Sequence, residues 1–310
     1  MTDRIGLAVL GGDERQIAMA RALADRGYDV FVWGLGACAD RIGSAIACEQ
    51  WQDAIKDAGV VILPLPASGD GVRVHCPLHA PDQLLRLTTL LDSIPGRLLL
   101  GGRLGESVRS IAEQKQIKWI DYFDSEILQL KNAVPTAEGA IAVAMRELPV
   151  TVDGVHAAIL GFGRIGALLA DRLRALGAEV TVYARRSEQR TLAELHHHRS
   201  ARLICRDGRT VPEVFDSNLR VIFNTVPQWI LTREVLETLP RNCVLIDLAS
   251  APGGIDRTAA QELGLRAVWA TALPGKCAPE SAGHILADTI EEILTEYAIL
   301  PHGSKRRLEK

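Results

Sequence analysis

Apolar residues along this chain fall in short runs, each closed by glycine and followed by a stretch where apolar positions recur every three or four residues. The arrangement occurs twice. In the first copy residues 5–10 read as a strand, Gly11-Gly12 as a turn, and residues 14–26 as a helix with Ile17, Ala20, Ala22 and Leu23 inward. Gly27 then stops the helix and residues 28–33 form the next strand. In the second copy residues 155–160 are the strand and Gly161-Phe-Gly-Arg-Ile-Gly166 the turn. Its helix carries Leu168, Leu169, Leu173 and Leu176 at helical spacing, Gly177 ends it, and residues 179–183 follow as a strand. Further apolar strands are expected at 60–63, 97–100 and 117–120, then at 221–223, 244–248 and 267–269.

Strands alternating with helices of this length imply right-handed crossovers and parallel sheets. The expected architecture is therefore α/β, two Rossmann-like doubly wound domains joined by hinge helices. An N-terminal domain spans 1–135, and Pro135 breaks the chain before a hinge helix within 136–149, which runs from 137 to 146. A nucleotide-binding domain spans 150–281. The segment 282–310 holds a C-terminal helix, 282–297, and a solvated tail; two placements of the helix stay open, packing back on the first domain or staying with the second.

Composition sharpens this only slightly. Apolar residues make up 47% and charged residues 24%, with a net charge of −3, which describes a soluble globular protein and argues against a general nucleic-acid binder. Six cysteines without a C-x-x-C pair suggest neither a disulfide framework nor a zinc site, and a reducing cytoplasm fits them. No basic leader precedes a long apolar core, and no run approaches the roughly 18 apolar residues that span a bilayer, so no export and no membrane partner are expected.

The second copy carries the more specific chemistry. Its G-x-G-x-x-G sits between a strand and a helix, the context a dinucleotide site requires. Gly161 permits the tight turn, Gly163 lets the backbone approach a pyrophosphate, and Gly166 allows helix–strand packing, with Arg164 and Ile165 opening the helix that faces the phosphates. The next strand ends in Tyr183-Ala-Arg-Arg-Ser187, with no acid to hold the ribose hydroxyls. Ala184 removes a repelling carboxylate, while Arg185, Arg186 and Ser187 supply donors to a 2′-phosphate. NADP(H) is expected ahead of NAD(H), unless the arginines are ordinary surface charge. In the first copy Asp13 and Gln16 stand where Gly163 and Gly166 stand in the second, so the N-terminal half is expected to serve a substrate or partner instead.

Ligands of such sheets lie beyond the carboxyl ends of the strands. There, Asn224, Thr225, Val226 and Pro227 are placed near the nicotinamide ribose. Ser250, Gly253 and Gly254 offer donors to a small anionic substrate, and the loop 64–68 ends in Ser68. Any of these residues serves equally well to shape a turn. Acid–base candidates are few. Glu138, early in the hinge helix, is a candidate, although an acid there also suits the helix dipole; His284 reads more readily as structural. The run His196-His-His198 resembles a metal tract, but adjacent side chains diverge and no acid or cysteine accompanies them, so a solvated loop and no metal are expected.

Five ordered blocks, Leu10-Gly-Gly-Asp-Glu-Arg-Gln16, Asn132-Ala-Val-Pro-Thr-Ala-Glu-Gly139, Gly161–Gly166, Asp247-Leu-Ala-Ser-Ala-Pro-Gly-Gly254 and Leu273-Pro-Gly-Lys-Cys-Ala-Pro-Glu-Ser-Ala-Gly283, resemble the dipicolinate synthase A-subunit family over almost the whole chain. The resemblance implies an NADP-dependent oxidoreductase of sporulation. It would act with a flavoprotein-like second component, the synthase's B-subunit, in the mother-cell cytoplasm and in an oligomer, oxidising dihydrodipicolinate or its hydroxylated tetrahydro precursor to pyridine-2,6-dicarboxylate. Within it Arg15 becomes the carboxylate clamp, unless it forms a surface salt bridge on its helix, with Ser68, Thr136, Gly253 and Gly254 as further contacts to the dicarboxylate, and Glu138 and Ser250 become the catalytic candidates. Two alternatives stay open: another dehydrogenase of amino or hydroxy acids, and an NADP-binding partner of the B-subunit that does no chemistry.

Overall fold

The computed structural model describes residues 5–79, 84–206 and 209–297. The chain divides into two compact units. The first holds the described residues up to Lys131 together with those from Ala278 onward, and the second holds Asn132–Cys277.

In the first unit β1 (Gly6–Leu10), β2 (Asp29–Trp33), β3 (Ile46–Ala47), β4 (Val60–Ile62), β5 (Leu98–Gly101) and β6 (Lys118–Asp121) form a parallel sheet of order β3-β2-β1-β4-β5-β6. Every residue of β1 is buried, as a central parallel strand covered on both faces should be. Its register runs from Gly6 opposite Asp29 to Leu10 opposite Trp33, and from Leu7 opposite Val60 to Val9 opposite Ile62. Alternation along β1 sends Leu7 and Val9 into one apolar cluster and Ala8 and Leu10 into another. The helices are α1 (Glu14–Asp25), α2 (Trp51–Lys56), α3 (Leu87–Asp92) and α4 (Glu106–Gln114).

The C-terminal helix, here α11 (Pro279–Glu296), supplies Leu286, Ala287, Ile290 and Leu294 to the Leu7 cluster. It lies so close to α1 that a Cβ on Gly283 would stand 2.5 Å from Ala18 Cβ and 2.6 Å from the Arg15 carbonyl oxygen. At the other end of the pair Arg26 bridges Asp288 and Glu291 at 2.7 and 3.1 Å.

α5 (Glu126–Glu147) opens in the first unit and ends in the second. The expected break at Pro135 does not occur: the proline sits inside a continuous helix of 22 residues. Thr136 Oγ1 donates to the Asn132 carbonyl at 2.7 Å, a side-chain bond in the turn that the missing proline N–H weakens. The change of unit accordingly falls at Lys131–Asn132, within the helix.

The second unit contains β7 (His156–Leu160), α6 (Arg164–Ala175), β8 (Glu179–Ala184), α7 (Ser187–Leu195), β9 (Arg199–Arg206), β10 (Arg209–Pro212), β11 (Val221–Asn224), α8 (Arg233–Leu236), β12 (Val244–Asp247), α9 (Arg257–Glu262), β13 (Arg266–Trp269) and α10 (Leu273–Cys277). Its sheet has the order β10-β9-β8-β7-β11-β12-β13, parallel except for β10, which returns antiparallel along β9. The strand order thus reverses direction beside β1 in one unit and beside β7 in the other. Doubly wound sheets bind ligands at such switch points.

Candidate functional site

At the second unit's switch point, Gly161 adopts φ +95°, and a Cβ there would lie 2.6 Å from Thr225 Oγ1. Thr225 in turn donates to the Leu160 carbonyl at 2.8 Å, tying the turn after β7 to the loop after β11. Gly166 packs against that turn, since a Cβ on it would meet the Gly161 carbonyl oxygen at 2.2 Å. Gly163 is different: it is exposed, its extended backbone suits any residue, and nothing lies within 4 Å of a Cβ placed on it. The space above Gly163 is open. It faces the start of α6, where no side chain caps the helix and no acid stands in the first turn, so the backbone N–H groups and the dipole are left for an anion. Arg164 is exposed and Ile165 half-buried in that first turn.

β8 ends at buried Ala184, followed by exposed Arg185, Arg186 and Ser187. Two residues that sequence patterning missed hold this corner. Arg190 Nη1 donates to the carbonyls of Ala184 and Arg185 at 3.1 and 2.8 Å, and Gln189 Nε2 to the Phe162 carbonyl at 3.3 Å. Their signal was available only as position, in the first turns of the helix after the strand. The acid in this turn, Glu188, is exposed and 3.4 Å from Ser187 Oγ.

The loops after β11 and β12 are organised by a carboxylate. Asp247, almost fully buried, accepts from Asn224 Nδ2 at 2.8 Å and from the backbone N–H groups of Ala249 and Gly254 at 3.1 and 2.9 Å. Asn224 also donates to the Val226 carbonyl and accepts from the Val226 N–H. This corrects two expectations. The Asn224 side chain turns inward instead of toward a ribose, leaving half-buried Thr225 and Val226 and exposed Pro227 at the surface. Gly254 gives its N–H to Asp247 instead of to a substrate. Gly253 and Gly254 are buried because Asp247 Oδ2 and Asn224 Nδ2 would stand 2.6 and 2.2 Å, respectively, from a Cβ at each. Ser250 remains exposed at the tip of the loop.

Glu138 also departs from expectation. Because α5 begins at Glu126, it lies in mid-helix, exposed and 3.6 Å from Arg172 Nε, an ordinary surface pair. Thr136 is buried, its hydroxyl committed to the helix backbone. Of the histidine run, His198 is not solvated: its side chain is fully buried with Nε2 2.8 Å from Asp171, and His196 stands 3.3 Å from the same acid. The acidic companion is distant in sequence and was therefore invisible in the local pattern. His284 is exposed on α11.

At the first unit's switch point Asp13 caps α1 and forms a reciprocal pair with Gln16, whose Oε1 accepts from the Asp13 N–H at 2.9 Å. Arg15 is buried. Its Nε and Nη2 hold the Asp13 carboxylate, the shortest contact being 2.8 Å, and Nη2 also donates to the Leu65 carbonyl at 2.6 Å. The expected clamp is thus already occupied by the protein's own carboxylate. Burial raises the Asp13 carboxyl, but the Arg15 hydrogen bonds and charge outweigh it and hold it below the usual range. Ser68 is engaged in a turn with Asp70 Oδ1 and the Gly71 N–H, at 3.1 and 2.9 Å.

The segment Val74–Cys76 crosses over the β1 turn. The Gly12 N–H donates to the His75 carbonyl at 2.8 Å, and a Cβ on Gly11 would meet Cys76 Sγ at 2.6 Å. Gly11 is thus crowded by a neighbouring loop just as Gly161 is, and what sets the first copy apart is Asp13, a carboxylate at the place of the open Gly163.

A family model for the N-terminal domain of the dipicolinate synthase A-subunit matches residues 6–123, and one for the D-isomer specific 2-hydroxyacid dehydrogenase NAD-binding domain matches residues 126–252. The dipicolinate synthase A-subunit of Bacillus subtilis (strain 168) is 30% identical over 298 residues, covering 96% of this chain and 98% of that protein. The crystal structure of the corresponding protein from Bacillus halodurans superposes with a TM-score of 0.80 at 25% identity, covering 93% of this chain and 97% of that one. The crystal structure of the dipicolinate synthase A chain from Bacillus subtilis gives 0.80 at 28%, covering 96% and 98%. A transhydrogenase from Sinorhizobium meliloti, at 14% identity and a TM-score of 0.66 over 94% of each chain, shares the fold alone.

Proposed function

The chain belongs to the dipicolinate synthase A-subunit family and carries a nicotinamide-dinucleotide-binding domain of the dehydrogenase kind, and from that premise we propose that it oxidises dihydrodipicolinate, or its hydroxylated tetrahydro precursor, to pyridine-2,6-dicarboxylate with NADP. The observation that carries the cofactor assignment is the pairing of an open Gly163 with a β8 end that bears two exposed arginines and no acid. Gly163, Arg164 and Ile165 would hold the pyrophosphate against the start of α6. Arg185, Arg186 and Ser187 would take the 2′-phosphate, with Arg190 and Gln189 fixing the backbone beneath them. When bound, the nicotinamide supplies a hydride acceptor, and closing the aromatic ring makes the oxidation downhill.

The protein's own work is to hold a dianionic substrate and to take up a proton. Ser250, exposed on the loop that Asp247 organises, is the hydroxyl donor in reach of a ligand beyond β12. In the first unit Arg15, the clamp expected from the sequence, is held by Asp13 and the Leu65 carbonyl. A second component, the B-subunit, in a hetero-oligomer fits the way the relatives are named. A cytoplasmic, mother-cell role fits the same family. Among the described residues no helix is long and apolar enough to cross a membrane.

The test is production of dipicolinate and NADPH from freshly condensed aspartate semialdehyde and pyruvate with NADP+, by this chain alone and with the B-subunit. No product under either condition overturns the proposed reaction. Product with NAD+ at the same efficiency overturns the 2′-phosphate assignment.

A further inference from the structure

In the second unit β9 runs parallel beside β8, with Thr181 opposite Arg199 and Ala184 opposite Arg202. Arg202 therefore stands next to the residue that closes β8, one strand spacing of about 4.8 Å away. Contacts along β9 settle its two faces. Leu203 is buried in the cluster that holds Tyr183, and Ala201 packs against the same cluster. Ser200 lies on the opposite face, where its Oγ donates at 2.6 Å to Glu194 Oε1 near the end of α7. Side chains alternate along a strand, so Arg202 shares that face with Ser200. Two residues of strand advance about 6.6 Å, the length of four to five helical residues, and α7 runs the other way. Moving from Ser200 to Arg202 thus corresponds to moving from Glu194 back to Arg190. Arg190 is the residue whose Nη1 holds the Ala184 and Arg185 carbonyls. Arg202, exposed in mid-strand, joins the corner made by Arg185, Arg186 and Arg190.

Charge at this corner is one-sided. Among the described residues none of Arg185, Arg186, Arg190 and Arg202 pairs with a carboxylate, and the acid in the first turn of α7, Glu188, has its Oε2 3.4 Å from Ser187 Oγ. Elsewhere on the same two strands the arginines are balanced: Arg199 meets Glu179 at 3.3 Å, and Arg209 meets Glu234 at 3.9 Å. Like charges gathered without a counter-ion repel one another, and a bound dianion relieves that repulsion.

We infer that Arg202 is a specificity-determining residue for the cofactor: with Arg185 and Arg186 it grips the phosphate monoester on the adenosine ribose and so selects the phosphorylated dinucleotide. The inference rests on the NADP assignment proposed above. A phosphate monoester carries a charge of about −1.5 to −2 near pH 7 and offers three acceptor oxygens. Arg185 and Arg186 reach it from the loop that follows β8, and a guanidinium rising from the neighbouring strand meets it from a second side, where a planar fork can take two oxygens at once. The nicotinamide lies at the other end of such a cofactor, so Arg202 governs which dinucleotide binds and not the hydride step.

The test measures binding to the full chain and needs no turnover. Fluorescence titration gives affinities for NADPH and NADH, and adenosine 2′,5′-bisphosphate and 5′-AMP serve as competitors that differ only in the 2′-phosphate. Arg202→Ala truncates an exposed side chain and leaves the core intact. It is expected to weaken NADPH and the bisphosphate more than about tenfold, with NADH and 5′-AMP held within about threefold. Arg199→Ala removes the same charge from the same strand, at a residue already paired with Glu179, and should move none of the four affinities beyond about threefold. In a wild type that prefers NADPH, three results each overturn the inference and leave the NADP assignment standing: unchanged affinities in Arg202→Ala, equal losses for both members of each pair, or the same effect from Arg199→Ala. A wild-type chain that binds NADH as tightly as NADPH overturns the assignment and the inference together.

Discussion

Asp247 accepts a 2.8 Å hydrogen bond from the side-chain amide of Asn224, joining the ends of two neighbouring strands at full burial. The same carboxylate takes the N–H groups of Ala249 and Gly254, so one side chain shapes the loop that presents Ser250. Replacing Asp247 by Ala strands three donors in the interior, at about 1–3 kcal/mol each. We expect thermal unfolding of the chain to begin several degrees lower. Dipicolinate formation should drop even at temperatures where the variant is folded. Unchanged melting would show that the loop is held by its backbone alone.

Gly163 and Gly166 should part company under mutation. A Cβ at 163 meets nothing, while one at 166 runs into the Gly161 carbonyl oxygen at 2.2 Å. Gly163→Val should therefore leave the melting temperature near wild type yet weaken NADPH binding more than about tenfold, because it fills the pyrophosphate space. Gly166→Val should lose stability and binding together. Differential scanning calorimetry beside fluorescence titration separates the two.

Arg185→Ala with Arg186→Ala removes the exposed cations after β8. Charge-assisted hydrogen bonds to phosphate contribute about 1.5–3 kcal/mol each, so NADPH affinity should fall at least tenfold while NADH affinity stays within a factor of about three. Equal losses for both cofactors would place the arginines outside the 2′-phosphate site.

At Gly283 the contact is helix against helix. Gly283→Leu cannot be accommodated without parting α1 from α11, and a loss of about 1–3 kcal/mol or more is expected from overpacking. Because α11 completes the Leu7 cluster, the damage should appear as lowered thermal stability of the first unit, read by hydrogen exchange in β1 and β4. NADPH binding should persist.

Asp13 gives a pH dependence with a definite sign. Its folded carboxyl titrates below the usual value because the Arg15 bonds outweigh burial. A depressed folded pKa contributes stability that is present above the unfolded value, about 3.9, and is lost as pH falls through the folded value. Asp13→Asn keeps a capping oxygen but removes the charge, and should thus be less stable than wild type at neutral pH by about 1 kcal/mol, the scale of a weakened ion pair. The gap should close in acid. Urea titrations at several pH values would show it, and a gap independent of pH would assign the loss to shape instead of charge.

Much of the fold was legible because it is local. The β1–α1–β2 and β7–α6–β8 repeats are written as apolar runs and glycine turns, and both appear within a residue or two of their expected bounds. Pro135 misled because a proline's cost in a helix is offset by packing along the rest of it, which local sequence does not display. The make-up of the candidate site was legible where it is local, such as the two exposed arginines and no acid after β8. It was hidden where a distant partner decides the role. Arg15 read as a clamp or a surface pair until Asp13 and Leu65 claimed it in the interior, and Gly254 looked like a donor until Asp247 took its N–H.

That α11 belongs to the first unit gives the protein an order of birth. When Cys277 leaves the ribosome, every residue of the second unit has been made, whereas the first still lacks Leu286, Ile290 and Leu294 from its core. The dinucleotide-binding half can therefore mature on the nascent chain ahead of the half that precedes it in the message. A truncation after residue 277 would preserve the younger unit and leave the elder unfinished.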